Sequence, residues 1–237
     1  MNLEDILSLA QPDEGAHMIA PSQWHSINFS NIEMSYAGTQ KIISIPRFSL
    51  ARGEIICISG LSGQGKSTFL NLLAQFYNPQ GGLREIDGVP YEKISRKFFS
   101  EHFAMISQEV ELFSLSVRDN IALGSSISDE EIISAMRAVG LKEWLSTLHD
   151  GLDTLVGEKG IKLSAGQKQR VNLIRGLLLD RDIYLLDEPT SHLDDETEEK
   201  VVAFLKQKLK NKTAVIVSHR PASRRLCSRF YEFKGNA

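Results

Sequence analysis

Gly60-Leu61-Ser62-Gly63-Gln64-Gly65-Lys66-Ser67 stands one residue beyond the apolar run Ile55-Ile56-Cys57-Ile58. Its spacing is G-x-x-x-x-G-K-[ST], that of a loop which wraps phosphates after a strand and opens a helix. The glycines permit a tight backbone turn that aims N–H groups inward as an anion nest. Lys66 is placed to reach β- and γ-phosphates, and the Ser67 hydroxyl to hold Mg²⁺. Thr68 completes the phosphate contacts. Behind the loop, Phe69, Leu70, Leu72, Leu73 and Phe76 recur at helical spacing, which predicts a helix over about 66–77 with its positive end on the phosphates. A nucleoside triphosphate site is implied.

The chain has 237 residues, 42% of them hydrophobic, and a net charge of −3. That length fits one large α/β domain or two small ones. The charge gives no global attraction to nucleic acid or anionic membranes. No stretch approaches 18 consecutive apolar residues, so no bilayer-spanning helix is expected. The opening MNLEDILSLAQPDEG is not a secretory signal. Cys57 and Cys227 are far apart in the sequence, so neither a structural disulfide nor a metal site is expected, and a reducing cytosolic setting fits.

In chain order, residues 1–25 read as a lead-in. Leu3, Ile6, Leu7 and Leu9 line one face of a short helix before Gln11-Pro12-Asp13-Glu14-Gly15 and Pro21-Ser22 break it. This stretch is either a disordered terminus or a tether to something upstream. Short strands follow at Ile27-Asn28-Phe29, Ile32 to Tyr36 and Ile42 to Ile45, with a turn at Gly38-Thr39. Together they suggest an antiparallel layer beside the nucleotide. Tyr36 is either a stacking platform for a purine or half-buried packing. Asn78-Pro79-Gln80-Gly81-Gly82 reads as a turn, Ile86-Asp87-Gly88 as the end of a strand, and Phe103 to Ser107 as a core strand ending at Gln108. Residues 109–163 are helical in character, with caps at Ser116 and Ser128 and an amphipathic run from Glu130 to Val139. They form a helical insert in one α/β core. Helices are expected at 166–179 and 195–210, and strands at Ile183 to Leu186 and Thr213 to Ser218.

Four strands thus end at Gly60, Gln108, Asp187-Glu188 and Ser218-His219, and a parallel α/β sheet binds ligands at the carboxyl ends of its strands. Asp187 suits a Mg²⁺ carboxylate shared with Ser67. Glu188 suits the polarisation of a water aimed at the γ-phosphate. Gln108 suits metal contact and orientation of that water, and His219 a donor to the γ-phosphate. Ser164 and Gln167 in Leu163-Ser164-Ala165-Gly166-Gln167 form a capping box. A helix start of this kind also receives phosphate, yet it lies too far along the chain for its own loop, which suggests a head-to-tail dimer with composite sites.

Together these motifs resemble the nucleotide-binding domain of ATP-binding-cassette (ABC) transporters over about residues 26–232. LSAGQ is similar to the family signature LSGGQ, and Ile183 to Leu186 before Asp187-Glu188 to its second Walker motif. The resemblance implies a P-loop NTPase (RecA-like) α/β core with an antiparallel β subdomain and an inserted α-helical subdomain. It makes Tyr36 the base-stacking aromatic, Gln108 the Q-loop, Ser191-His192-Leu193-Asp194 the D-loop and His219 the switch histidine. It implies ATP and Mg²⁺ as cofactors and an ATPase that dimerises around two ATP. Glu111 to Ile121 and Val156-Gly157-Glu158-Lys159-Gly160 resemble exporters. In those, 1–25 would be a linker from a transmembrane domain at the cytoplasmic face of a membrane, and the stop after Phe233-Lys234-Gly235 a compact C-terminus.

Two residues depart from the family pattern. Ala165 replaces a glycine; its methyl is accommodated at negative φ and crowds the opposing phosphate at positive φ. His192 replaces a small residue at the surface facing the partner's loop. Both predict slower dimer closure rather than lost catalysis. A soluble ABC ATPase acting on ribosomes or DNA is the alternative. The single cassette, the roughly hundred residues between phosphate loop and signature, and the absence of a basic surface weigh against it, so no nucleic-acid partner is expected. A switch that binds ATP without turnover is disfavoured by Glu188.

Overall fold

The computed structural model describes residues 18–21, 23–36, 42–158 and 160–233, with the backbone alone described at Ile42. The two short strands expected near residues 27–36 are one strand, β1 (Ser26–Ser35), because the chain passes through Asn31 in a left-handed conformation without leaving the sheet. This bulge shifts the register against the next partner between Ser30 and Glu33, so buried side chains fall at Ile27, Phe29, Ile32 and Met34. β2 (Ile42–Ala51) runs antiparallel to β1, from Ser26 opposite Ala51 to Ser35 opposite Ile42. The expected turn at Gly38-Thr39, the Leu3 to Leu9 helix and Lys234-Gly235 lie outside the described residues, as does Lys159.

β3 (Ile55–Ser59) leads through the glycine-rich loop into α1 (Lys66–Leu73). α1 is shorter than the periodicity predicts: Gln75 turns left-handed, and Phe76 and Tyr77 swing out to solvent. The presumed turn at Gly81-Gly82 is instead the start of β4 (Gly81–Ile86), where Gly82 meets the bulge so closely that a Cβ would stand 2.3 Å from the Asn31 carbonyl oxygen. β5 (Val89–Pro90), α2 (Arg96–His102, capped by the Ser95 hydroxyl) and β6 (Phe103–Ile106) follow. Then come α3 (Val117–Ala122), α4 (Asp129–Ala138) and α5 (Lys142–Thr147), with Ser116 and Ser128 as N-caps. The insert is helical as expected. The chain closes with α6 (Ala165–Leu178), β7 (Ile183–Asp187), α7 (Asp195–Lys208), β8 (Thr213–Val217), α8 (Pro221–Arg224) and β9 (Arg229–Glu232).

The strands form an antiparallel sheet in the order β2-β1-β4-β5 and a parallel one in the order β6-β7-β8-β3-β9. The parallel sheet separates two cores by the two-residue period of its strands. Ile183, Leu185, Val215 and Val217 face α1 and the antiparallel sheet, in a core that includes Phe29, Phe48 and Phe69. Tyr184, Leu186, Ala214 and Ile216 face α6, α7 and the helical insert. Residues near the start are already built in: Ile19 pairs with Ile94, donating to the Lys93 carbonyl at 2.7 Å, and Trp24 is buried.

Arg84 of β4 anchors the far end of α1. Its buried guanidinium donates to the carbonyls of Leu72 (3.1 Å) and Tyr77 (2.9 Å) and to Asn78 Oδ1, and it lies 4.9 Å from the Tyr91 ring centre. The Leu72 carbonyl is one of those that a helix end leaves without an intrahelical i+4 partner, and the Tyr77 carbonyl belongs to the chain just beyond it. Arg84→Ala is therefore expected to destabilise the fold by about 3 kcal/mol in urea titrations, because it leaves buried acceptors unpaired. Arg84→Lys recovers little, since one ammonium does not reproduce the fork.

Candidate nucleotide-binding site

The carboxyl ends of β3, β6, β7 and β8 open into one cleft of about 610 Å³, lined by Ser62, Gly63, Gly65, Lys66, Ser67, Thr68, Gln108, Asp187, Glu188, Ser191, His219 and Arg220 among others. The loop is shaped by glycines with positive φ at 60, 63 and 65. At Gly65 (φ 101°) a Cβ would also strike Ile43 Cδ1 at 2.6 Å, so the antiparallel sheet packs directly beneath the loop. Leu61 is exposed at its crest and Gln64 is tucked half-buried under it, with its Oε1 buried and unpaired. Lys66 Nζ donates back to the carbonyls of Gly60 (2.8 Å) and Leu61 (2.9 Å), and burial draws its pKa below the usual lysine range.

Opposite the lysine, β7 carries five buried residues and ends in Asp187, followed by Glu188. Burial raises both carboxyls above their ordinary values. The neighbouring Ser67 and then Lys66 draw Asp187 partly back down, and His219 ahead of Lys66 does so for Glu188. Hard oxygen donors from Ser67 and Asp187 thus meet beside the phosphate loop, with the Gln108 amide exposed on the same cleft; the set suits Mg²⁺. Glu188 has φ 48°, uncommon for a non-glycine residue, and the strain is held from both sides. Its N–H donates to the Val217 carbonyl (2.9 Å) and its carbonyl accepts from Gln169 Nε2 (2.8 Å). The His219 ring stands 3.7 Å from the Glu188 carboxylate.

Tyr36 flanks the cleft, its hydroxyl 2.7 Å from Thr68 Oγ1 and its ring edge-on to Tyr77. The signature residues do not line the cleft. Leu163 is buried, and Ser164 and Gln167 form the expected capping box: Gln167 N donates to Ser164 Oγ (3.2 Å) and Ser164 N to Gln167 Oε1 (2.9 Å). Ala165 is the first helical residue of α6 and is not among the residues with positive φ. Its methyl is therefore accommodated, which removes the steric brake considered for that position. His192 is exposed, with its Nδ1 3.1 Å from Ser191 Oγ.

Two residues given no role by sequence reasoning hold this region together. Gln169, buried on α6, donates to the Glu188 carbonyl and to Ser191 Oγ (3.2 Å) and accepts from His192 N (3.3 Å). Arg220, beside His219, donates to the Leu193 carbonyl (2.6 Å) and pairs with the buried Glu198 (3.3 Å). Glu198 in turn accepts from Thr190 (2.9 Å). The signal for Gln169 is its place four residues before Leu173 on the buried face of a helix, where a polar side chain requires partners.

A family model described as ABC transporter matches residues 43–191. The chain belongs to the ABC transporter family. Among curated relatives of this family it is 36% identical over 214 residues to an ATP-dependent lipid A-core flippase of Burkholderia pseudomallei, covering 89% of the chain and 36% of the flippase. It is 38% identical over 220 residues to a protein of the same name from Methylobacillus flagellatus, covering 92% of the chain and 38% of the relative. The structure of a bacterial Atm1-family ABC exporter with ATP bound superimposes with a TM-score of 0.84 at 29% identity, covering 94% of the chain and 39% of that exporter. The chain thus spans well under half the length of these relatives. Membership of this family implies that the chain binds ATP.

The raised Glu188 carboxyl has a consequence for stability. Its pKa is higher folded than unfolded, so at neutral pH the folded protein bears a charged group that the unfolded chain carries at less cost. Glu188→Gln is expected to stabilise the nucleotide-free domain by about 1 kcal/mol at pH 7.5. Thermal melts across pH should show this gain shrinking as pH falls through the raised pKa, where the wild-type carboxyl takes up its proton.

Proposed function

We propose that this chain is the ATP-hydrolysing motor domain of an ABC exporter. The observation that carries the reading is the convergence of the Lys66 loop, Asp187, Glu188 and His219 in one cleft, while the capped helix start at Ser164 to Gln167 stands outside it. ATP lays its phosphates in the loop, with Lys66 leaving the Gly60 and Leu61 carbonyls for the β- and γ-phosphates and Tyr36 stacking on the adenine. Ser67 and Asp187, with Gln108, would hold Mg²⁺, which supplies charge neutralisation on the phosphate oxygens. Glu188 accepts a proton from water as the water oxygen bonds to the γ-phosphorus and the bond from that phosphorus to the bridging oxygen of ADP breaks. A general base with a raised pKa suits this transfer. His219 donates to the departing phosphate as charge builds on it.

A second copy, packed head to tail, completes each site by presenting its Ser164 to Gln167 helix start to the γ-phosphate. The D-loop residues Ser191 to Asp194 then face the partner's loop. Closure and reopening of this dimer drive transmembrane helices that belong to the same polypeptide upstream, which places the domain at the cytoplasmic face of a membrane. Phe113, Leu115, Leu155 and Ile161 are exposed apolar residues around the 113–161 part of the insert, and such exposure suits contact with those helices. The flippase and exporter names of the relatives favour this reading over a soluble ATPase on ribosomes or DNA.

Sedimentation velocity of Glu188→Gln with ATP–Mg²⁺ is expected to show a dimer, and with ADP a monomer. A monomer in both, with ATP shown to be bound, would refute self-closure of this chain. In the same assay Ala165→Gly should leave dimerisation within about twofold, because the helical backbone already accommodates the methyl. His192→Ala should strengthen it. Lys66→Ala is expected to weaken ATP binding by about a hundredfold in equilibrium titrations, since it removes a charge-assisted contact to two phosphates.

A further inference from the structure

Two amide side chains of α6 reach the ends of two neighbouring strands. Gln169 and Asn172 stand three residues apart, which puts them on the same side of the helix, and both are buried. One turn further along, Gly176 packs against β6 so closely that a Cβ would stand 2.5 Å from Ile106 Cγ1. The face that carries the two amides is therefore pressed onto the parallel sheet. Buried amides cost stability unless they are hydrogen-bonded. Asn172 Nδ2 donates to the Ser107 carbonyl at 3.3 Å, and Gln169 Nε2 to the Glu188 carbonyl at 2.8 Å. These carbonyls lie where the ladder between β6 and β7 has stopped: its last pair is Ile106 opposite Leu186. Beyond that pair the two chains run on to Gln108 and Glu188, both of which line the nucleotide cleft. Across this gap α6, rather than strand pairing, links the Gln108 side of the cleft to the Glu188 side.

We propose that Gln169 and Asn172 are positioning residues that hold Gln108 and Glu188 at a fixed spacing, so that the first turn of α6 and the cleft move as one body. The proposal rests on the ATPase reading above, in which Gln108 helps to hold the metal and Glu188 takes the proton of the attacking water. The N-cap Ser164 precedes Gln169 by five residues, roughly one and a half helical turns. A partner's phosphate seated on that helix start is felt at both amides without passing through a flexible segment. Gln169 also donates to Ser191 Oγ (3.2 Å) and accepts from His192 N (3.3 Å), so the D-loop follows the same lever. Neither amide lines the cleft. Their loss should therefore leave nucleotide affinity in place and lower the rate of the chemical step.

The test uses the 237-residue chain with Gln169→Met and Asn172→Leu, which keep the side-chain size and remove the hydrogen bonds. ATP binding is read by equilibrium titration, turnover at saturating ATP–Mg²⁺, and amide hydrogen exchange without nucleotide. ATP affinity is expected to stay within about twofold, which shows a folded phosphate loop, while turnover falls about tenfold or more in each variant. Exchange should quicken about tenfold across 188–193 in Gln169→Met and across 107–110 in Asn172→Leu, with 183–186 unchanged in both. Turnover in the double variant should fall little below that of the worse single, since either loss frees the same spacing. Unchanged exchange at both segments would overturn the proposal. So would unchanged turnover, an ATP affinity that falls along with turnover, or losses that multiply in the double variant. A wild-type chain that binds ATP without turning it over would instead refute the ATPase reading, and the exchange results would then decide the positioning on their own.

Discussion

A strand that is apolar along its whole length and ends in two carboxylates sets the terms for the rest of the molecule. β7 lies inside the parallel sheet between β6 and β8, its side chains divided between both cores, and all five of its residues are buried. Asp187 and Glu188 are held there against an unfavourable solvation energy, offset in part by Ser67 beside Asp187, by His219 beside Glu188 and by the Lys66 ammonium. The unliganded cleft is thus a place of unmet electrostatic demand. The same burial that costs stability raises the proton affinity of both carboxyls, which suits the role of base proposed for Glu188. Such a trade of stability for chemistry is common at functional sites.

The strain stored at Glu188 persists because three separate segments hold it. Gln169 reaches across from α6, the Val217 carbonyl lies on β8, and Arg220 fixes the loop that follows through Leu193 and Glu198. Gln169 lies in the second turn of the helix whose first turn is the capped signature. One rigid element therefore spans from the surface expected to meet a partner's phosphate to the backbone of the residue expected to activate water. Movement at one end of α6 has a short, fully hydrogen-bonded route to the other.

Much of this was legible in the sequence because the motifs are local. The glycine-rich loop, the run Ile183 to Leu186, and the Ser128 and Ser164 caps declare themselves within a few residues, and the structure places them as read. The errors arose where tertiary contacts overrode local signals. The bulge at Asn31 merged two strands into one, and Arg84 and a left-handed Gln75 ended α1 a turn early. Gly81 and Gly82, turn residues by composition, begin a strand, and at Gly82 only glycine fits against Asn31. The cleft residues on one sheet edge were found because strand ends are ordered by chain direction. Gln169 and Arg220 were not, since each depends on side chains that meet from distant positions.

β9 lies at the edge of the parallel sheet with β3 as its strand partner, and Phe233 N closes the pairing on the Ser59 carbonyl at 2.7 Å. The Phe233 backbone then crosses so close to Gly60 that its carbonyl oxygen would stand 2.6 Å from a Cβ there. Phe233 is thereby a lateral wall of the phosphate loop. In recombinant work, a boundary drawn before Arg229 would remove no motif residue, yet it would leave β3 as an open edge and unseat the loop's first glycine. Nucleotide affinity in trimmed versions of this domain therefore reports on the C-terminal strand as much as on the loop itself.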